Sequence, residues 1–540
     1  MIPDPRRTAR RRTARRLRTL LVPVVAALGL LGPPAPLPAS AGPLPRPPAP
    51  RPPTAAEART DALLRHARRD PRLLRDFFRR LPKGGDLHHH LWGAVTTEYL
   101  VRLAGDDGLC VDPSTMTAVP PPCGPGTRPA ADARADASFR TALVRAWSMQ
   151  DLPPGRNGHD HFFGTFGRFA EVASRHPGEL LAEVAEKAAA GNQSYLETMV
   201  TPVPGAAREL ADDVGWDADL RRLYGRLTVG GRLDGLVAAA RREADDADAG
   251  FRTAARCGTG RPGAACRLTV RRISQVARGD SPVRVFTQLA LAMRLAERDA
   301  RFVAVNLVQP EDEAGALAHY RLHMRMLRYL RGVHPRAHVT LHAGELWPGL
   351  AGPEHLAFHI REAVTVAGAE RIGHGVGLVH EDDWRATART MAAREVAVEV
   401  AFTSNAQILG VLGDDHPFAT YRAHGVPVVL ATDDPGVSRT DLGHEYQYAA
   451  TAHGLSYPEL KDLARASLEY AFLPGRSLWR GNPTAGGYRP VPACAGLHPT
   501  GGRPLPGPCR RLLATSPKAA VQWRQEAAFA AFERTARTGR

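Results

Sequence analysis

The strongest constraint on the fold of this chain is an alternation. Eight short β-rich runs recur through its middle, with helical stretches between them: residues 84–90, Ser194–Val200, Arg267–Ile273, Phe302–Val308, His338–His342, Arg371–His374, Val396–Phe402 and Val426–Thr432. Alternation of this kind argues for a parallel sheet, because each helix carries the chain back to start the next strand in the same direction. Eight such units over about 400 residues fit a (β/α)8 barrel with insertions. A doubly wound open sheet is the alternative. Such sheets usually have fewer strands and often a glycine-rich phosphate turn after the first, and no Gly-x-Gly-x-x-Gly or Walker sequence occurs here. The expectation is therefore an α/β chain whose barrel spans 82–475, with helical insertions at about 101–193 and 203–265.

The flanks have a different character. Arg6 to Arg18 holds eight arginines, an apolar run from Leu20 to Leu31 follows, and then comes Ala39-Ser40-Ala41. That is the layout of a secretory signal peptide over residues 1–41, and its apolar run is too short to span a bilayer. Export is expected, by the general secretory route or, from a loose match at Arg15-Arg16-Leu17, the twin-arginine route. The proline-dense stretch that follows predicts an extended linker over 42–54. Residues 55–81 read as a helical segment, with apolar Leu63, Leu64, Leu73, Leu74, Phe77 and Phe78. Residues 476–540 read as an irregular segment followed by a final amphipathic helix over Pro517–Arg537.

Removing the leader, with its eight arginines and one aspartate, takes the formal charge from +16 to about +9. The remaining arginines are scattered among acids and form no stripe interleaved with aromatics, so no nucleic-acid partner is expected. No other segment reaches the length of apolar residues that a membrane span needs. The six cysteines, Cys110, Cys123, Cys257, Cys266, Cys494 and Cys509, fall into three local pairs around Pro/Gly-rich loops. An even count in an exported chain suggests disulfides, and proximity favours 110–123, 257–266 and 494–509 among the 15 connectivities that six cysteines allow.

In a (β/α)8 barrel the chemistry sits at the C-terminal ends of the strands. Reading those ends in order, the first carries His88 and His90, which lie on one face of an extended segment while His89 faces the other way. The fifth ends in His342-Ala343-Gly344-Glu345, the sixth in His374-Gly375, and the eighth in Thr432-Asp433-Asp434-Pro435. Three histidines and one carboxylate suit Zn²⁺ and leave a position for water. Glu345, on a glycine-bearing turn, is placed to shuttle protons. Two competing pairs, His159/His161 and His355/His359, lie away from strand ends. His-Glu-x-x-His is absent, as is the His-x-Glu and Pro-Cys-x-x-Cys signature of cytidine deaminases. The four lysines, Lys83, Lys187, Lys461 and Lys518, end no middle strand, so a two-metal site bridged by a modified lysine is not expected.

The stretches Pro82 to Ala94, His342 to Glu345, Arg371 to Gly375, Thr403-Ser404-Asn405 and Thr432 to Pro435 together resemble the adenosine deaminase family of the metal-dependent hydrolase superfamily. The Gly84-Gly85-Asp86 opening, the leader and the cysteine-bearing insertions resemble its extracellular growth-factor-like branch. The resemblance implies one zinc per chain, held by His88, His90, His342 and Asp433. It implies Glu345 as proton shuttle at the purine N1, His374 orienting the attacking oxygen, and Asp434 bonding the purine N7, with Gly344 approaching the base. Trp92 stands where the family often has Asp or Ser near the ribose. Gln309 stands near the place where the family commonly has a glycine whose backbone N–H meets the purine N3. Both are therefore candidate substrate contacts. The implied reaction is hydrolysis of adenosine, and of 2′-deoxyadenosine, to the inosine product and ammonia. The alternatives are an aminohydrolase of another aminopurine or a catalytically silent nucleoside-binding module. By analogy with the extracellular branch, residues 55–81 would serve a homodimer contact.

Overall fold

The computed structural model describes residues 52–497, 499 and 504–538. The leader and linker residues 42–51 lie outside the described residues. Eight strands, named here β1 to β8, form one parallel sheet in sequential order: Gly84–Asp86, Gln193–Val200, Thr269–Ala277, Phe302–Val308, His338–Ala343, Arg371–His374, Ala397–Val400 and Val428–Leu430. Strands β4, β7 and β8 are rich in Val and Leu and buried on both faces, as a parallel sheet covered by helices requires. The fold is a (β/α)8 barrel.

The seam between β8 and β1 has no regular ladder. Instead, the Asp433 N–H donates to the His88 carbonyl and the His90 N–H to the Asp433 carbonyl, each at 2.9 Å. Asp433 adopts a left-handed φ of 63° to make this crossing. Beneath it the Asp86 carboxylate accepts from the Thr432 hydroxyl at 2.6 Å. The residues that close the barrel are thus also the ones whose side chains converge at its mouth.

The limits of four strands differ from expectation. β1 ends at Asp86, and His89 and His90 continue as isolated bridges to Asp433 and to Met199 of β2. β3 runs on to Ala277, four residues beyond the expected Ile273, because Ser274 to Ala277 continue the ladder with Val305 to Val308 of β4; within it Arg272 is paired with Asp248 at 2.5 Å. β7 and β8 are shorter than expected at both ends, and Phe402 opens a helix, Phe402–Leu409.

Between β1 and β2 lie several helices and a three-stranded antiparallel sheet (Cys110–Asp112, Thr117–Val119, Arg128–Pro129) stapled by Cys110–Cys123. The helix Gly158–Ala173 of this region, capped by Asn157, packs on the helix after β7. A Cβ at Gly158 would come within 2.1 Å of the Gln407 carbonyl, so glycine permits this contact. The insertion therefore sits over strand ends. Helices Pro204–Val214, Leu220–Thr228 and Arg232–Ala254 lie between β2 and β3, followed by the Cys257–Cys266 disulfide. Helix Ala55–Ala67 starts in a Thr54/Glu57 capping box and packs on helix Pro517–Thr538. Between these two, the Lys461 ammonium bridges Glu57 (3.0 Å) and Glu533 (2.6 Å). Cys494–Cys509 ties the segment before the last helix.

Candidate metal centre and active site

Four ligand atoms meet at the barrel mouth. His88 Nε2 lies 3.1 Å from His342 Nε2 and 3.3 Å from Asp433 Oδ1; His90 Nε2 lies 3.3 Å and 3.2 Å from the same two atoms. Ligands about 2.0–2.1 Å from a tetrahedral zinc would stand roughly 3.3 Å apart, so this spacing fits the ion. Each imidazole is also oriented from behind. His88 Nδ1 faces the Glu399 carboxylate at 2.6 Å, His90 Nδ1 faces Gln275 Oε1 at 2.9 Å, and His342 Nδ1 faces Asn306 Oδ1 at 3.1 Å. An acceptor at Nδ1 leaves the lone pair on Nε2, the form in which histidine binds a metal. The Ser404 hydroxyl holds the other Asp433 oxygen at 2.6 Å. The donor set and its supports fit a zinc ion.

His374 and Asp434 are drawn into the same cluster: ligand atoms of His88, His342, His374 and Asp433 lie within 4.8 Å of one another, as do those of His90, Asp433 and Asp434. His374 Nε2 stands 3.7 Å from Glu345 Oε1. Burial, reinforced by the Asp433 and Glu311 carboxylates, pushes the Glu345 carboxyl well above its usual range. Burial likewise pushes Asp434 up to about 8, and its Oδ1 is buried without a partner. A protonated carboxyl of this kind can donate to a ring nitrogen.

Residues 178–478, more than half of the chain, match the family model described as adenosine deaminase. The chain belongs to the adenosine deaminase family. It is 44% identical over 137 residues to the adenosine deaminase of Salmonella heidelberg (strain SL476), a stretch covering 25% of this chain and 38% of that relative. Less than half of the relative's length is thus spanned. Among solved structures it is similar to the Arabidopsis N6-mAMP deaminase (22% identity, 74% of this chain and 96% of that chain, TM-score 0.49). It is also similar to an adenine deaminase from Arthrobacter aurescens (18% identity, 73% and 94%, TM-score 0.41).

Gln309 takes the left-handed backbone (φ 82°) that a glycine would adopt more readily, and its side-chain oxygen turns away to accept the Gly279 N–H at 2.9 Å. Trp92 is 39% exposed on a one-turn helix, Leu91–Ala94, whose other members are buried. Gly93 in that turn is packed so closely on Asp434 that a Cβ would overlap its carboxylate.

The turn carrying Glu345 is held by a residue the sequence did not single out. The buried Glu311 carboxylate accepts the backbone N–H groups of Gly344 (3.2 Å) and Glu345 (2.8 Å) and pairs with His359 Nδ1 at 2.5 Å. The buried Arg278 guanidinium lies 3.9 Å from Glu311 and donates to the carbonyls of Leu307 and His342, each at 2.9 Å. The competing histidine pairs have other work. His159 Nε2 pairs with Asp312 at 3.0 Å, His161 Nε2 with the Ser148 carbonyl at 3.0 Å, and His359 with Glu311.

Proposed function

We propose that this chain is an exported, zinc-dependent aminohydrolase of purine nucleosides, with adenosine as its first substrate. The observation that carries the reading is the convergence of His88, His90, His342 and Asp433 at metal-ligand spacing, beside the buried carboxyls of Glu345 and Asp434, at the mouth of one barrel. When bound, Zn²⁺ supplies Lewis acidity and makes water a usable nucleophile near neutral pH. The protein does the rest. Glu345 gives its proton to the purine N1, which draws electron density from C6 and opens that carbon to attack by water. Asp434, protonated, donates to N7 and fixes the ring. His374 orients the attacking oxygen. One proton of the water passes through Glu345 to the leaving nitrogen and the other restores the Glu345 carboxyl, the C6–N bond breaks, and ammonia departs as inosine forms.

The three disulfides are compatible with an extracellular setting, and among the described residues no helix is long and apolar enough to cross a membrane. The test is a substrate panel on the purified, zinc-loaded chain: adenosine, 2′-deoxyadenosine, adenine, and N6-methyl-AMP, which would release methylamine. The reading expects the highest kcat/KM for the nucleosides. A preference for adenine or the nucleotide would reassign the substrate, and release from none of them would overturn the reading.

A further inference from the structure

Four imidazoles surround the metal centre, and the partners of their Nδ1 atoms divide them three to one. For His342 the partner is unambiguous, since Asn306 Oδ1 also accepts the His342 backbone N–H at 3.0 Å and must be oxygen. His88 faces a carboxylate and His90 the oxygen of Gln275. These three keep the proton on Nδ1 and the lone pair on Nε2.

His374 is different, and a chain of hydrogen bonds shows why. The structure places Asn405 Oδ1 2.9 Å from its Nδ1 and Asn405 Nδ2 2.8 Å from His416 Nε2, a placement that the next hydrogen bond reverses. Beyond it, the Phe418 backbone N–H donates to His416 Nδ1 at 3.1 Å. The chain is fixed at this last link, because a backbone N–H can only donate. His416 Nδ1 is thus an acceptor, and burial, with the neighbouring His453 and His374, holds the ring neutral with its value down near 3. A neutral ring that accepts at Nδ1 carries its proton on Nε2, and that N–H needs an oxygen. The Asn405 amide must therefore present its oxygen to His416 and its nitrogen to His374. The reverse placement would make His416 accept at both nitrogens with no proton on either. The two ends of an amide are alike in shape, and only their partners decide between them. With an amide N–H donating to His374 Nδ1, the His374 proton sits on Nε2. That atom is buried and makes no hydrogen bond within the protein.

We propose that Asn405 and His416 are positioning residues that hold His374 as a neutral imidazole with its proton on Nε2. In that form it donates a hydrogen bond to the attacking water oxygen and can neither ligate the metal nor take a proton from that water. The inference rests on the aminopurine hydrolase reading only for what the donated bond does; the tautomer itself follows from the hydrogen bonds.

The test uses the zinc-loaded full chain labelled with ¹⁵N-histidine, with a His374→Gln variant to identify the signal. The expected result is a protonated, pyrrole-type Nε2 on His374. In His416→Phe the amide is free to turn, so the proton should move to Nδ1 and kcat should fall about 10–100-fold with KM little changed. His416→Gln, whose amide can accept from Phe418 and donate to Asn405, should restore the tautomer and most of kcat. A lone-pair, pyridine-type Nε2 in the wild-type chain would overturn the proposal, and so would a His416→Phe variant with wild-type kcat. If His416→Phe does not fold, the wild-type nitrogen shift still decides. If the wild type deaminates no aminopurine, the functional reading fails while the same shift still judges the tautomer.

Discussion

A carboxyl buried beside two other carboxylates keeps its proton, and that is the situation of Glu345 among Asp433 and Glu311. Replacing it with glutamine removes the transferable proton but leaves the ligand set untouched. Glu345→Gln should lower kcat by about 10²–10⁴-fold while retaining one zinc per chain. Turnover at the wild-type rate would show that another group moves the proton. At this scale much was legible in the sequence. The ligand candidates and Glu345 stand at strand ends, where chemistry-bearing residues are few and their spacing is informative. The groups behind them were not legible. Glu399, Gln275 and Asn306 reach the Nδ1 atoms of histidines from distant positions, and nothing in their local sequence marks that contact. Gln309 shows a second limit. Neither its left-handed backbone nor its bond to the Gly279 N–H is marked in the local sequence.

Among the elements, the turn after β5 is the most constrained. Gly344 needs its left-handed φ of 73°, and a Cβ there would come within 2.6 Å of Ile360. Glu311 then holds the two following N–H groups with one carboxylate. An amide in its place would set a donor against a donor. Glu311→Gln should cost about 1–3 kcal/mol of stability, read as a lower denaturation midpoint. It should also lower kcat more than it raises KM, because the turn carries Glu345. Unchanged kcat in a destabilised variant would mean that the turn is fixed by Gly344 and Ile360 alone. The sequence reading missed this support for a traceable reason. It ended β3 at Ile273, whereas the strand runs on to Ala277 and so brings Arg278, just past its end, to the Glu311 carboxylate.

For the whole molecule, the alternation of β-rich runs was enough to give strand number, order and direction, because parallel strands joined by helices close in few ways. How the seam closes could not be read, since it depends on the backbone of Asp433 rather than on any pattern. The same holds for buried charge. Glu381 is buried against the Ile360 and Arg361 N–H groups, and burial, with Glu311 adding to it and Arg361 opposing, raises it to about 8 from 4.5. The folded chain thus binds this proton more tightly than the unfolded one. Its contribution to stability is full below pH 4.5 and is lost as pH rises through 8. Melting temperature should fall across that window, and Glu381→Gln should flatten part of the fall; an identical pH profile in the variant would remove Glu381 as a cause.

The account stands on one metal at the barrel mouth serving hydrolytic deamination. The most direct test is to strip the purified chain with a chelator, add zinc back stepwise, and follow ammonia release from adenosine at each step. Activity should rise in proportion to added zinc and level off at one ion per chain, with His342→Ala and Asp433→Ala failing to recover it. Full activity in the stripped chain, or a plateau only at two ions per chain, would contradict the single-zinc site built from His88, His90, His342 and Asp433.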